Sequence, residues 1–256
     1  DSLITEEYVS STGILIITGM KMGPGGYLYI ARNHTNIYKI PPGGGSKETF
    51  VKLNGKVYDL DFDQNDVLYA VGKGDSIYSI KSDASFFGSA EYVDFVLRSL
   101  RVYNGYVYVS GEYNGSDPLI TKMGIWRNQI LSADGDLGDR ELVFDWTSTW
   151  SGEFGPAVLS ITFDENGDLY IGSEETYSGS KYTGGNAITI LNMDDMTTSV
   201  LYSPILFPPA ANMVWGNSNY LYVTRLVSDT GADDVPTIRV IRIALELNGA
   251  TYYGRQ

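Results

Sequence analysis

The sequence predicts an all-β protein, a single β-propeller of four-stranded antiparallel blades occupying residues 1–256. Three observations carry that expectation. One short phrase recurs along the chain, helical periodicity over ten or more residues is missing, and the composition favours tight turns and strands. The 29 Gly and 20 Tyr stand beside a charged fraction of only 19%, against a usual value of about 25%. The phrase is a Gly, Asn or Asp turn followed by aliphatic, Tyr, aliphatic. It reads Gly26-Tyr27-Leu28-Tyr29-Ile30-Ala31 first and Asp66-Val67-Leu68-Tyr69-Ala70-Val71 next. Gly105 to Ser110, Gly167 to Gly172 and Asn219 to Thr224 repeat it.

Each copy supplies the second strand of a repeat. An apolar run precedes it, as in residues 57–62 and 159–163, and supplies the first strand. A β-rich stretch follows each copy, at residues 37–40, 76–80, 124–130, 187–191 and 238–243. A fourth strand comes next at residues 49–53, 141–146 and 198–202. Four short strands joined by hairpin turns make a propeller blade. The repeated residues Tyr29, Tyr69, Tyr108, Tyr170 and Tyr222 lie 40, 39, 62 and 52 residues apart. The first two intervals match a blade of about 40–50 residues. The widest interval has room for a sixth blade, but residues 112–157 offer only an outer strand pair and loops. Five blades are therefore expected, with six as the alternative. Side chains alternate along a strand, so Leu28, Leu68, Val107, Leu169 and Leu221 should face away from the Tyr series. Ring closure should join the chain ends, through residues 6–10 or 251–254.

A hydrophobic content of 43% supports a buried core and excludes global disorder. The formal charge of −13 argues against a nucleic-acid partner, which needs a basic surface. No Cys is present, excluding disulfides, thiolate nucleophiles and Cys-based zinc sites. The apolar run at residues 13–20 falls far short of the ~20 residues that span a bilayer. The chain begins at Asp1, read as a removed leader or a trimmed start. The mix of Tyr, Gly, Ser and Asn with few Lys suits an exported, extracytoplasmic protein, with an ordinary cytoplasmic acidic protein as the alternative, and a monomer is expected.

The segment Phe163-Asp164-Glu165-Asn166-Gly167-Asp168-Leu169-Tyr170-Ile171-Gly172 resembles the inner hairpin of NHL and SMP-30/gluconolactonase-type propellers. Residues 62–69 are a weaker copy. The resemblance implies the propeller fold and, in the SMP-30 group, a metal held by Glu, Asn and Asp at the channel mouth. Gly152-Glu153-Phe154-Gly155-Pro156 is similar to that group's Glu-Gly-Pro segment, with Phe154 inserted and the segment displaced to the fourth repeat. On this basis Glu153 is a candidate ligand for Ca2+ or another divalent metal.

The residues offer further candidates. His34, the one histidine, follows the first Tyr strand and could act as a general base or single metal ligand at the channel mouth. Asp164, Asn166 and Asp168 fit a tight hairpin turn, with a calcium loop as the alternative. Asp134, Asp136, Asp139 and Glu141 present the same choice. No Gly-x-Ser-x-Gly elbow and no phosphate-binding loop is found.

The turns between first and second strands are short, whereas residues 111–123, 173–186 and 225–236 form long loops at the opposite ends of the second strands. Long loops in a compact domain are more often functional than the scaffold. These carry Glu112, Tyr113, Asp117, Glu174, Glu175, Tyr177, Tyr182, Asp229, Asp233 and Asp234, and the approach to the fourth repeat adds Trp146, Trp150 and Glu153. Carboxylates beside aromatic rings suit a glycan or a protein ligand. The expected function is thus a binding propeller with its ligand on the long-loop face. The alternative is a divalent-metal hydrolase or lactonase, joining Glu153 to inner-strand residues such as Asn104 or Asn212.

Overall fold

The structure, a computed structural model, describes residues 17–32, 35–73, 76–117, 119–120, 122–146, 157–173, 177–178, 181–182, 188–202, 210–216, 219–227 and 237–251. It is a five-bladed β-propeller. Blade one comprises β1 (Ile17–Met22), β2 (Leu28–Arg32), β3 (Asn36–Ile40) and β4 (Glu48–Lys52). Blade two holds β5 (Lys56–Phe62), β6 (Leu68–Lys73), β7 (Ser76–Ile80) and β8 (Phe86–Glu91). Blade three holds β9 (Phe95–Tyr103), β10 (Tyr106–Tyr113), β11 (Met123–Ile130) and β12 (Leu137–Asp145). Blade four is β13 (Val158–Phe163), β14 (Leu169–Ser173), β17 (Ile188–Leu191) and β18 (Thr198–Tyr202). A small hairpin, β15 (Tyr177–Ser178) and β16 (Lys181–Tyr182), interrupts it. Blade five shows β19 (Ala210–Trp215), β20 (Tyr220–Val227) and β21 (Thr237–Ala244) among the described residues. Neighbouring strands in every blade are antiparallel and follow chain order. The wide interval between Tyr108 and Tyr170 holds β11, β12 and connecting segments before β13, and the described residues there form no sixth blade.

The five repeated tyrosines occupy β2, β6, β10, β14 and β20, one per blade. The core consists of layers between consecutive blades. Tyr29 packs in the layer with Leu60 and Leu68 of blade two. Tyr69 packs with Leu100 and Val107 of blade three, Tyr108 with Ile161 and Leu169 of blade four, and Tyr170 with Met213 and Leu221 of blade five. Tyr29, Tyr69, Tyr108 and Tyr170 therefore face the following blade, and Leu68, Val107, Leu169 and Leu221 face the preceding one. Leu28 and Tyr222 sit half-buried on the blade-one and blade-five faces left over.

The turn chemistry explains why this Tyr recurs. In four blades the first turn closes through the same bond, from the N–H of Gly23, Asp63, Asp164 or Gly216 to the carbonyl four residues on. That position lies beneath the ring of the Tyr six residues later. A Cβ on Gly23 would come within 2.6 Å of the Tyr29 ring, and one on Gly216 within 2.8 Å of the Tyr222 ring. Where Asp replaces Gly, the carboxylate takes over the turn. Asp63 Oδ1 accepts from the N–H groups of Asn65 and Val67, and Oδ2 accepts from the Tyr69 hydroxyl at 3.1 Å. Asp164 Oδ1 accepts from Asn166 and Asp168 N–H at 2.9 and 3.0 Å. Burial raises both carboxyls above the usual range, and these hydrogen bonds oppose it. Blade three instead uses a two-residue hairpin with Asn104 and Gly105 both at positive φ, 47° and 79°, a conformation these residue types tolerate.

After β21 the chain crosses to blade four. Glu165 N–H donates to the Asn248 carbonyl, and Ala250 N–H to the Phe163 carbonyl. The chain's last described residues thus lie along the turn end of the propeller. The segments at residues 6–10 and 252–254, expected to close the ring, lie outside the described residues.

Candidate functional site: the central channel

The inner strands β1, β5, β9, β13 and β19 contact one another in succession around the axis. Strand alternation turns their polar residues inward. The pattern is visible in Asp59-Leu60-Asp61-Phe62, Ser99-Leu100-Arg101-Val102 and Ser160-Ile161-Thr162-Phe163, where the aliphatic positions enter the inter-blade core. Lys21 comes from β1 and Asn212 from β19. The inward side of these strands is therefore charged but closely paired.

Asp59 is the hub of the pairing. Its Oδ2 accepts from the Arg101 guanidinium at 2.8 Å, from the Ser99 hydroxyl at 2.8 Å and from Leu100 N–H at 3.0 Å. Its Oδ1 accepts from Leu60 N–H. Asp61 accepts from Phe62 N–H through Oδ1 and from Val102 N–H through Oδ2. Adjacent inner strands splay apart and leave these N–H groups without a ladder partner, and the two carboxylates supply one. Arg101 continues across the axis to the Met213 carbonyl of blade five. Ser99 Oγ accepts from Ile161 N–H, which extends the bracing to blade four. Lys21 Nζ lies 3.5 Å from Asp61. Burial, followed by the nearby Arg101 charge, pulls the Lys21 ammonium down to about 8, while Asp61 and Asp59 oppose the shift.

This donor set does not fit a divalent metal. Both channel carboxylates already carry peptide N–H groups and a cation, and an incoming ion would sit against Lys21 and Arg101. Among the described residues, no group of three or more His, Asp or Glu is placed to hold a metal. The two calcium-loop alternatives are likewise engaged elsewhere. Asp164 caps its turn, as above. Asp134 pairs with Lys81 at 2.6 Å, Glu141 with Arg127 at 2.8 Å, and Asp136 accepts from the Ser132 hydroxyl.

Several candidates from the sequence can be placed. Glu112, next to the last residue of β10, holds Arg98, Nη2 to Oε2 at 2.5 Å. Tyr113 is buried against Phe95, with ring centroids 5.1 Å apart. Trp146 is fully buried between blades three and four. These two rings are core residues and not ligand platforms. Asp117 is exposed and accepts from Leu119 N–H in a local turn. Tyr177 begins the small hairpin of blade four. Of the two inner-strand candidates, Asn212 lines the channel side of β19, whereas Asn104 sits in a turn. Trp150, Glu153, Glu174, Glu175, Asp233 and His34 lie outside the described residues.

The sequence reading missed the channel set of Lys21, Asp59, Asp61, Ser99 and Arg101. Its signal was a polar residue at alternate positions of the strands before the second, third and fourth Tyr strands, as in Asp59/Asp61, Ser99/Arg101 and Ser160/Thr162.

No protein-family profile matches the sequence, and no curated protein matches it in sequence. Solved structures do match in shape. A putative gluconolactonase superposes with a TM-score of 0.60 over 92% of this chain and 76% of its own, at 12% identity. A gluconolactonase from Xanthomonas campestris gives a TM-score of 0.58 over 81% of this chain and 68% of its own, at 15% identity. Both gluconolactonases share the propeller fold with this chain. It is not confined to them, since the Pan2 WD40 domain of Neurospora crassa gives a TM-score of 0.57 at 8% identity, over 93% of this chain and 65% of its own. Identities this low speak for the architecture alone. Among the described residues no helix is long and apolar enough to cross a membrane.

Proposed function

We propose that the protein is a binding propeller of the extracytoplasmic space, taking a glycan or protein ligand on the face of its long loops. The observation that carries this reading is the pairing in the channel. Asp59 and Asp61 are committed to Arg101, Lys21 and the peptide N–H groups of two blades. A metal-dependent hydrolase needs carboxylates that are open to a cation at the axis, and these are not. Support for the location comes from the strand order. Because β10, β14 and β20 are equivalent second strands, the segments that follow them leave from one end of the propeller. Those segments hold Glu174, Glu175 and Asp233, with Trp150 and Glu153 in the approach to blade four. The lactonase alternative draws on the shared fold of the two gluconolactonases and would rest on Glu153 and His34.

The test is binding to a panel containing cellohexaose, a chitosan hexamer and a basic peptide. At least one probe should bind, and Glu174→Lys/Glu175→Lys should weaken it about tenfold or more through lost hydroxyl or ammonium contacts. Asp164→Ala should leave that affinity unchanged while costing about 1–3 kcal/mol of stability, because the turn N–H groups lose their acceptor. Affinity indifferent to the double reversal would remove the loop face as the site.

A further inference from the structure

A cavity of about 290 Å3 opens at the short-turn end of the channel, and its chemistry is independent of the binding reading above. Lys21 reaches its floor from β1, Asp61 from β5 and Arg101 from β9, all three buried. Val214, Phe163 and Trp215 give it apolar walls. Half-buried Tyr103 and exposed Val214 and Thr251 stand at the rim, which leaves an entry for a small molecule.

The charges at the floor balance. Asp59 pairs with Arg101, and Asp61 with Lys21, whose Nζ lies 3.5 Å from the carboxylate. A ligand that keeps this balance must be neutral. A lysine taken out of water and set beside a second cation is also the arrangement that yields a nucleophilic amine near neutral pH. We propose that Lys21 forms a Schiff base with a small, uncharged aldehyde whose apolar body lies against Phe163 and Trp215. The amine nitrogen adds to the carbonyl carbon, and the resulting carbinolamine loses its oxygen as water. Of the three ammonium protons, two leave in that water and the third stays on the iminium nitrogen. Asp61 is the carboxylate at hand to take the first proton and return it to the departing hydroxyl. The iminium is a cation in place of a cation, so both ion pairs survive the reaction. The apolar walls favour an aryl or branched aldehyde over a sugar, whose hydroxyls would lose their water without replacement.

Titration gives the proposal a signature. The charged groups facing Lys21 are Arg101 on β9 and Asp59 and Asp61 on β5, while Thr162 on β13 and Val214 on β19 bring no charge. Burial, followed by the Arg101 charge, pulls the ammonium down to about 8, with Asp61 and Asp59 opposing. About half of Lys21 is therefore unprotonated at pH 8, where a solvated lysine, with a pKa of about 10.4, is almost wholly an ammonium.

The experiment treats the whole protein with benzaldehyde and sodium cyanoborohydride from pH 6 to pH 10 and maps the benzyl adducts by peptide mass spectrometry. At pH 8 Lys21 should be labelled about tenfold or more faster than any other lysine. Its rate should level off above a midpoint of about 8, whereas the other lysines should keep gaining rate to the top of the range. Lys21→Met should abolish the fast-labelled fraction. Val214→Trp, which fills the cavity mouth from an exposed position, should slow Lys21 labelling about tenfold. If Lys21→Met does not fold, the adduct map of the unaltered protein and Val214→Trp decide the matter. Labelling spread evenly over the lysines, a Lys21 rate that climbs like theirs without a plateau, or indifference to Val214→Trp would each overturn the proposal.

Discussion

Asp59→Ala should be among the most damaging single substitutions in the molecule, although Asp59 is a charged residue of the channel and not an apolar core residue. The change leaves the Arg101 guanidinium buried without its carboxylate. It also removes the acceptor for Leu60 N–H, Leu100 N–H and the Ser99 hydroxyl. Breaking a buried pair from one side costs about 3–5 kcal/mol. For a chain of this size that corresponds to a fall in Tm on the order of 10 °C. The double variant Asp59→Ala/Arg101→Met should lose less than the sum of the two single changes, because the orphaned charge is gone. Chemical denaturation of the four proteins in the cycle measures this directly. Additive losses would mean that the ion pair does not join blades two and three.

Trp146→Ala carries the second large effect and separates core from ligand platform. Trp146 is fully buried, its ring 6.2 Å from that of Phe144, in the layer that also holds Val158, Ile161 and Ile171. Removing a buried Trp costs about 3–5 kcal/mol, the residual cavity adding to the lost transfer energy. Thermal unfolding should show a drop comparable to that of Asp59→Ala. A ring that served a ligand in solvent would be replaceable with little loss of stability. An unchanged Tm would therefore return Trp146 to the binding surface.

The blade count and the Tyr-bearing strands were legible in the sequence because they obey a local rule. A tight turn and a period of two leave a signature within ten residues, and each blade repeats it. The partner beneath the Tyr ring was harder to see, since Gly23 and Gly216 in two blades and Asp63 and Asp164 in two others fill one structural position. Chemically they are unlike, but either a missing side chain or a hydrogen-bonding carboxylate accommodates the ring. Tyr113 and Trp146 read as loop aromatics because they lie near the ends of strands. Only the packing of one blade on the next shows that they point inward. The channel set was the least legible. Lys21, Asp59 and Arg101 are distant in sequence, and their pairing depends on three inner strands meeting at one axis.

The central claim is that the channel carboxylates are braced by Arg101 and Lys21 and are not a metal site. The most direct test is metal analysis of the purified protein, joined to thermal unfolding with and without EDTA. The account predicts divalent metal well below one equivalent per chain and a Tm that EDTA leaves unchanged. One tightly held equivalent that is lost in Asp61→Asn, with a Tm that falls when the metal is removed, would contradict it.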